Sequence, residues 1–438
     1  GNAVSERTGK GYLPAYSIIK KGGVKVAVLG YTNAANASLM DASCVSGLRF
    51  DSLLPLVQED VDKVRSKEKP QVVIVVAHTS MGKGDGQNIE RQGLDLFNSL
   101  KGVDVLVTGH DHSTKVLKTD STVLLDCGRA GQYACLADIK LVVRGGKVIS
   151  RSLSGEVESF GSENYDTAME EAFKSDYEKV RDFNASHVGE VKKDLVSREF
   201  YYRQCDYMNF LHALAFSAWP VDISLSATLL IDGMVPAGEV RYQDIRKIYP
   251  YDNKLVVLRL TGAEILRYLE ASYDAWISTV PGPAEGSHVL RITQTKDYAT
   301  GGMKWKLAKS PANFDSAAGI RYTVDVTKPY GSRVTVSGMA DGSPFEMDKD
   351  YSVAITSYRS TGSGGLMKAA GLMDARSVED RIIYRGPEFR TILYRYLKKH
   401  GSIDPAVVGD PNVVGSWRFV PDFAPEAIKA DVQLIYGK

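Results

Sequence analysis

The sequence has 438 residues, of which 44% are hydrophobic and 24% charged, and its net charge is +1 at pH 7. This composition is that of an ordinary globular protein, and the length suggests two or three domains. A nearly neutral chain has no basic field to attract a nucleic acid polymer or an acidic membrane surface. The four cysteines lack C-x-x-C spacing, which argues against a zinc ribbon or a disulfide-dense scaffold. The apolar runs, such as Val72–Ala77, are too short for a membrane span.

The first 155 residues alternate between strand and helix patterns. The apolar runs predict strands at Val24–Gly30, Gln71–Ala77 and Val103–Val107. The helical spacing of apolar residues predicts helices at Leu53–Lys67 and Asn88–Leu100. This βαβ order predicts a parallel sheet with helices packed on it. Three further segments are expected to finish the layer as antiparallel strands: Thr122–Asp126, Ala134–Val143 and Lys147–Ser152.

The remaining chain predicts a linker and a second domain. A charged helix at Asn164–Arg181 is typical of an interdomain spacer. In the segment Thr261–Glu264, the threonine and the glutamate form a capping box that begins another helix. Helices and strands are mixed there without βαβ order, and strands are expected at Ile320–Val326, Arg333–Ser337 and Tyr351–Ile355. We therefore expect an α/β domain at 1–160, a helical linker at 161–195 and an α+β domain at 196–438.

Three histidines follow predicted strands. His110 and His112 come just after Val103–Val107, and in an extended chain their side chains would lean the same way. His78 ends the strand Gln71–Ala77. A loop histidine by itself usually only forms a hydrogen bond. Three together at the ends of parallel strands favour a metal centre with zinc, manganese, iron or cobalt.

The stretch VVIVVAHTSMGKGDGQNIE, followed by VDVLVTGHDH, resembles the calcineurin-like metallophosphoesterases. More closely, it resembles the secreted bacterial 5′-nucleotidases and 2′,3′-cyclic-nucleotide 2′-phosphodiesterase/3′-nucleotidases. The resemblance implies an α/β metallophosphoesterase sandwich followed by an α+β C-terminal nucleotidase domain. It also implies two divalent metal ions (Mn, Zn, Fe, Co or Mg) in the intact enzyme, with His78, His110 and His112 as the ligands present here, and we expect partial or no occupancy in this chain. A periplasmic or cell-surface location follows from the resemblance alone.

The second half extends the resemblance to a substrate site. IYPYDNKLVVLRLTGAEILRYLEASYDAW resembles the family's segment around an aromatic residue that stacks on the nucleobase, which implies that role for Tyr251 and a binding role for Asn253. By spacing alone, Tyr249 and Tyr251 would more often be ordinary packing residues. AITSYRSTGSGGLMKAAG implies a second stacking wall at Tyr358 and a hydrogen-bonding or charge partner at Arg359. Three glycines are expected to let the backbone approach the ligand: Gly362, Gly364 and Gly365.

The sequence also departs from the family pattern. ISLSATLLIDGMVPAGEVR lacks the glycine-rich, arginine-ending motif of the 5′-nucleotidase branch, and it favours the cyclic phosphodiesterase/3′-nucleotidase branch. Leu366 stands where the glycine loop often has an aromatic residue. The family's Asp-x-His, Gly-Asp and Gly-Asn-His-Glu motifs would precede Gly1, so we expect an N-terminally truncated sandwich without catalytic residues of its own.

These observations predict metal-dependent hydrolysis of nucleotide phosphate esters, with this chain as an incomplete form of the enzyme. The expected partner is a nucleotide or nucleoside, and we expect no obligate protein partner. Two alternatives remain at this point. One is a non-catalytic nucleotide-binding protein with a degenerate metal half, and the other is a phosphoesterase that acts on sugar or cell-wall phosphates.

Overall fold

The structure is a computed structural model that describes residues 1–40, 42–145, 147–161, 166–283, 286–296, 301–373 and 375–437. Its contacts divide the chain into two units, Gly1–Glu171 and Ala172–Lys438. A helix at Thr167–Ala185 crosses this division, where a charged helix was predicted. The predicted start of that helix, Asn164, lies outside the described residues.

A six-stranded sheet is the centre of the first unit. Its strands lie in the order Tyr16–Lys21, Val24–Tyr31, Val72–Ala77, Val105–Thr108, Val123–Cys127 and Thr114–Lys118. The four inner strands are parallel to one another and the two edge strands are antiparallel to their neighbours. The predicted parallel sheet is therefore confirmed.

One predicted strand direction is wrong. The strand Val123–Cys127 is parallel to Val105–Thr108, although an antiparallel strand was expected. The reason is the strand Thr114–Lys118, which was not predicted. It runs back along the sheet edge, so the chain enters the next position in the original direction.

Helices cover one face of this sheet. The helix Leu53–Glu68 buries Leu53, Val57, Val61 and Val64 completely. The helical spacing predicted Leu54, Val57, Val61 and Val64 for this face; the three valines are confirmed, and Leu53 replaces the half-buried Leu54. The second helix extends only over Gly93–Ser99, shorter than predicted. A hairpin of the strands Tyr133–Arg144 and Lys147–Ser159 forms a separate two-stranded sheet, and a Cys127–Cys135 disulfide joins it to the main sheet. The unit also contains the paired strands Ala3–Ser5 and Leu48–Phe50, and the short helices Asn36–Leu39 and Ala42–Val45.

A five-stranded mixed sheet organises the second unit. Its strands lie in the order Asp315–Ala318, Ile223–Ala227, Asp350–Thr356, Lys254–Thr261 and Ile382–Glu388. Two three-stranded sheets accompany it: Gly238–Arg241, His187–Val191 and Ser402–Ile403; and Val334–Met339, Ile320–Asp325 and Gly415–Val420. Two strand pairs are smaller: Leu195–Val196 with Met234–Val235, and Ile292–Lys296 with Met303–Leu307. The strands predicted near 320, 333 and 351 are thus confirmed.

Helices surround these sheets. The longer ones are Asp206–Ala218, Gly262–Trp276, Phe389–His400 and Phe423–Tyr436. The shorter ones are Ile245–Ile248, Ser357–Ser360, Leu366–Ala369, Ala375–Arg381, Pro405–Val408 and Pro411–Val414. Single 3₁₀ turns lie at Arg198–Tyr201, Tyr242–Asp244 and Pro311–Asn313. In the described part of the chain, every helix is too short or too polar to cross a bilayer.

The predicted capping box is confirmed. Thr261 Oγ1 accepts the Glu264 N–H at 3.3 Å, and the Glu264 carboxylate accepts the Thr261 N–H at 2.9 Å. The helix that begins here buries Trp276, which stacks on Tyr273 and on Phe314. Trp276 also contacts Trp417 and Phe419, so this aromatic cluster packs the helix against the strand Gly415–Val420 of a three-stranded sheet.

Candidate functional site

A pocket of about 270 Å³ lies at one edge of the five-stranded sheet. The strands Ile223–Ala227 and Asp350–Thr356 are parallel and both end there. Their antiparallel neighbours begin there, as the pairs Ala227–Asp315 and Leu255–Thr356 show. Four predicted site residues line this pocket: Tyr251, Asn253, Tyr358 and Arg359. The other lining residues are Leu225, Ser226, Ala227, Leu229, Ser310, Ala312, Asp315 and Thr356.

The two pocket tyrosines are unusually open for large aromatic residues. Tyr251 is 45% exposed and Tyr358 is 43% exposed. Tyr249, by contrast, is buried and stacks on Phe389 with a ring-centroid distance of 5.1 Å. The packing alternative therefore describes Tyr249. Tyr251 and Tyr358 leave aromatic surface free toward the pocket, where a flat ligand can stack.

Arg359 is buried, and all N–H groups of its guanidinium form hydrogen bonds within the protein. Its Nε and Nη2 bind the Asp315 carboxylate, at 3.0 and 2.5 Å, and Nη2 also donates to Ala312 O. Its Nη1 donates to Asn313 Oδ1 and to Ser363 O. These bonds use all five N–H groups of the side chain. Burial alone would lower the pKa of Arg359, but Asp315 raises it above its ordinary value.

This geometry bears on the predicted role of Arg359. A guanidinium whose donors are all occupied has none left for a ligand. The Asp315 carboxylate is likewise occupied, because it also accepts a hydrogen bond from the Tyr268 hydroxyl at 2.6 Å. The pair therefore forms part of the pocket wall and anchors the short helix Ser357–Ser360 that carries Tyr358.

The three predicted glycines all have a positive φ, between 77° and 84°. A Cβ on Gly364 would lie 2.2 Å from Asn313 Oδ1 and 2.3 Å from Arg359 Nη1. A Cβ on Gly362 would similarly collide with Met373. Gly364 is thus required for the loop to close over the buried arginine, whereas at Gly362 the positive φ favours glycine and the end of the Met373 side chain could move. Among the described residues that line the pocket, none of the three glycines, Gly365 included, is present.

The predicted metal residues lie in the first unit. His110 Nδ1 is 3.3 Å from His78 Nε2, and His110 Nε2 is 3.0 Å from Glu90 Oε1. Two imidazole nitrogens on one tetrahedral metal, with bonds of about 2.0–2.1 Å, are about 3.3 Å apart. A carboxylate on the other ring nitrogen is the usual partner of a metal-bound histidine. His78 and His110 therefore fit as two ligands of one metal, with Glu90 orienting His110.

His112 is placed differently. The strand ends at Thr108, and His110 and His112 have φ angles of 88° and 57°. The expectation of an extended chain is therefore wrong, because the segment turns back. Asp111 fixes this bend by accepting the Met81 N–H and the Ser113 hydroxyl. His112 is exposed, and in the described ranges no group of three metal-ligating side chains is assembled.

Several residues of these sites were not predicted. Asp315 and Asn313 are more than forty positions from Arg359, and Glu90 is twenty positions from His110. No local pattern marks such partners. Periodicity indicates which face of an element is buried, but it does not indicate which polar side chains meet across the fold.

Comparison with known proteins places these sites in context. Residues 187–371 match the family model of the 5′-nucleotidase C-terminal domain. The trifunctional nucleotide phosphoesterase protein YfkN of Bacillus subtilis is 21% identical over 87% of this chain and 28% of its own length. A 2′,3′-cyclic-nucleotide 2′-phosphodiesterase/3′-nucleotidase of Haemophilus influenzae is 28% identical over 43% of this chain and 26% of its own. The chain thus spans less than a third of these relatives.

A solved structure supports the fold. A 5′-nucleotidase structure from Staphylococcus aureus, determined in complex with alpha-ketoglutarate, superposes with a TM-score of 0.63 at 17% identity. The superposition covers 95% of this chain and 77% of that one. The chain accordingly shares the fold of that structure, and its α/β unit followed by an α+β unit is the architecture that was predicted. Residues 187–371 are thus similar to the 5′-nucleotidase C-terminal domain, and the relatives of the chain include proteins named 5′-nucleotidase and 2′,3′-cyclic-nucleotide 2′-phosphodiesterase/3′-nucleotidase.

Proposed function

We propose that this protein takes part in the metal-dependent hydrolysis of nucleotide phosphate esters, and that its second unit binds the nucleoside part of the substrate. The observation that carries this proposal is the pocket at the sheet edge. It presents two exposed tyrosine rings and the Asn253 side chain. Among the described residues that line it, Arg359 and Asp315 are the only charged ones, and they neutralise each other. Aromatic faces without a free charge suit a neutral, planar heterocycle.

The Asn253 amide gives this pocket a polar group for the ligand. An amide offers two donors and an acceptor, which can pair with the edge of a base. The tyrosines supply affinity with little preference among bases, so any selectivity falls to Asn253 and to the Ser226 hydroxyl. Because the glycine-rich arginine motif of the 5′-nucleotidase branch is absent, we propose 3′-nucleotides and 2′,3′-cyclic nucleotides as the substrate class.

A divalent metal would supply a nucleophilic water and neutralise phosphoryl charge. In the first unit, His78 and His110 would hold it, and Glu90 would keep the His110 ring in the orientation for binding. Burial and the neighbouring His110 and His112 lower the pKa of His78, which keeps its imidazole in the neutral form that ligates metals. A periplasmic or cell-surface location is the setting that we propose for this activity.

Calorimetric titration of the chain with adenosine tests the pocket. We expect binding, and we expect Tyr251→Ala to weaken it by about 1–3 kcal/mol, the range for loss of one stacking partner. Ribose 5-phosphate, which has no base, should not bind to the pocket. Tyr330→Ala is the matched control, because Tyr330 is an exposed tyrosine of the same unit outside the pocket lining, and it should leave adenosine affinity nearly unchanged.

Hydrolysis is tested on the full-length protein. We expect release of phosphate or ring opening with 3′-AMP and 2′,3′-cyclic AMP, dependent on added Mn²⁺ or Zn²⁺ and abolished by a chelator. Adenosine binding without any metal-dependent hydrolysis would instead identify a nucleotide-binding protein. Hydrolysis of sugar phosphates with the same efficiency would contradict a role for the base.

A further inference from the structure

The loop at residues 249–253 carries Tyr251 and Asn253, and the first turn of one helix packs against it. The helix Phe389–His400 begins directly beside it. The Phe389 N–H donates to Asn253 O at 2.9 Å, and the Phe389 ring stacks on Tyr249 with an interplanar angle of 4°. The pocket wall therefore rests on the first two residues of this helix.

Arg390 makes most of the polar contacts to this loop. Its Nε donates to Tyr249 O at 3.0 Å and its Nη2 donates to Pro250 O at 2.6 Å. Its Nη1 pairs with the Asp252 carboxylate. One planar side chain thus binds three of the five loop residues. Arg390 does not line the pocket, so any effect on a ligand must pass through the loop.

We propose that Arg390 is a positioning residue for the nucleoside pocket, which fixes the Tyr251 ring and the Asn253 amide in the arrangement that receives the base. This inference rests on the proposed function, since it assigns Arg390 to that same site. The loop lies between the helix Ile245–Ile248 and the strand Lys254–Thr261. The Tyr249 N–H still bonds to Ile245 O of that helix, whereas the carbonyls of Tyr249 and Pro250 accept from the guanidinium.

The chemistry of arginine makes this arrangement specific. The guanidinium is a rigid fork whose donors point in fixed directions, so it can bind two carbonyl groups and a carboxylate together. A lysine ammonium keeps the charge but cannot hold the same plane. The ion pair with Asp252 contributes little, because the Asp252 side chain is 72% exposed. The two carbonyl bonds are the part that positions the loop.

Four variants of the chain test this assignment: Arg390→Lys, Arg390→Ala, Asp252→Ala and the control Arg395→Ala. Arg395 is an exposed arginine of the same helix that has no contact with the loop among the described residues. We expect both Arg390 variants to weaken adenosine binding about tenfold and to speed amide hydrogen exchange in residues 249–253 without ligand. The control should change neither quantity, and Asp252→Ala should change affinity less than twofold.

A kinetic test on the full-length protein separates positioning from general destabilisation. Arg390→Lys should raise KM for a nucleotide about tenfold with kcat unchanged, and it should leave hydrolysis of ribose 5-phosphate, however slow, unaltered. Equal losses for both substrates would show a general structural role and overturn the proposal. If Arg390→Ala does not fold, Arg390→Lys alone decides the question.

The outcomes distinguish this inference from the proposed function. Unchanged exchange in the loop, or faster exchange with unaltered adenosine affinity, would overturn the role of Arg390. If the unmodified chain does not bind adenosine at all, the proposed function fails. The exchange measurement would then still show whether Arg390 holds the loop.

Discussion

The buried pair of Arg359 and Asp315 gives a sharp prediction about stability. The two side chains are 3% and 1% exposed and are joined by bonds from both Nε and Nη2. Arg359→Ala would leave the Asp315 carboxylate buried with only the Tyr268 hydroxyl as partner. Removing one member of such a pair costs about 3–5 kcal/mol, because the other charge stays buried without compensation. We expect a loss of unfolding free energy in that range.

The comparison with a double variant separates the cost of an orphaned charge from the value of the pair. Replacing both residues with apolar ones, as in Arg359→Met with Asp315→Leu, should recover most of the loss. Arg385 and Glu379 form an exposed pair in the same unit, and Arg385→Ala should cost less than about 1 kcal/mol.

Denaturant unfolding followed by tryptophan fluorescence is a suitable assay. The four tryptophans of the chain, Trp219, Trp276, Trp305 and Trp417, all lie in the second unit, so the signal reports that unit alone. A loss below about 1 kcal/mol for Arg359→Ala would refute the argument. Such a result would mean that water or a local shift satisfies Asp315 at little cost.

Two further predictions concern other buried or paired histidines. Burial lowers the pKa of His212 from 6.5 to about 4, and its ring binds Ser224 and Ser316. Because the unfolded imidazole takes up a proton near pH 6.5, this group costs no stability above that pH but costs up to about 3 kcal/mol as the pH falls toward 4. In unfolding curves measured from pH 7 to 4, His212→Gln should reduce the fall of the unfolding free energy with decreasing pH. The substitution of the exposed His400 by Gln should leave that pH dependence unchanged. For the metal site, His110→Ala should abolish Zn²⁺ binding by the chain in calorimetry, and Glu90→Gln should weaken it about 10–100-fold. An unaltered affinity in either variant would contradict the assigned contacts.

The fold was largely predictable because it depends on local patterns. The apolar runs of the inner strands and the spacing of Val57, Val61 and Val64 determine which faces are buried. The capping box at Thr261 and Glu264 determines where a helix begins. The direction of Val123–Cys127 was not predictable, since it depends on the short and largely exposed strand Thr114–Lys118.

The candidate site was predictable only in part. Its tyrosines and histidines lie next to strand ends, where a sequence pattern can be recognised. Their partners are distant in the chain, and the polar contacts that orient them have no periodicity. Arg359 was expected to contact the ligand, but in the structure it is part of the pocket wall. This difference is visible only when the hydrogen bonds of all its N–H groups are considered together.

The neutrality of the pocket has a consequence for enzyme turnover. Because Asp315 neutralises the charge of the Arg359 guanidinium, the pocket itself does not attract a phosphate group electrostatically. Under the proposed function, the pocket itself would therefore hold a released nucleoside about as firmly as it holds the nucleoside part of the nucleotide, and added salt would not weaken that binding. The end product would compete with fresh substrate, so the rate should fall as nucleoside accumulates unless transport or further metabolism removes it.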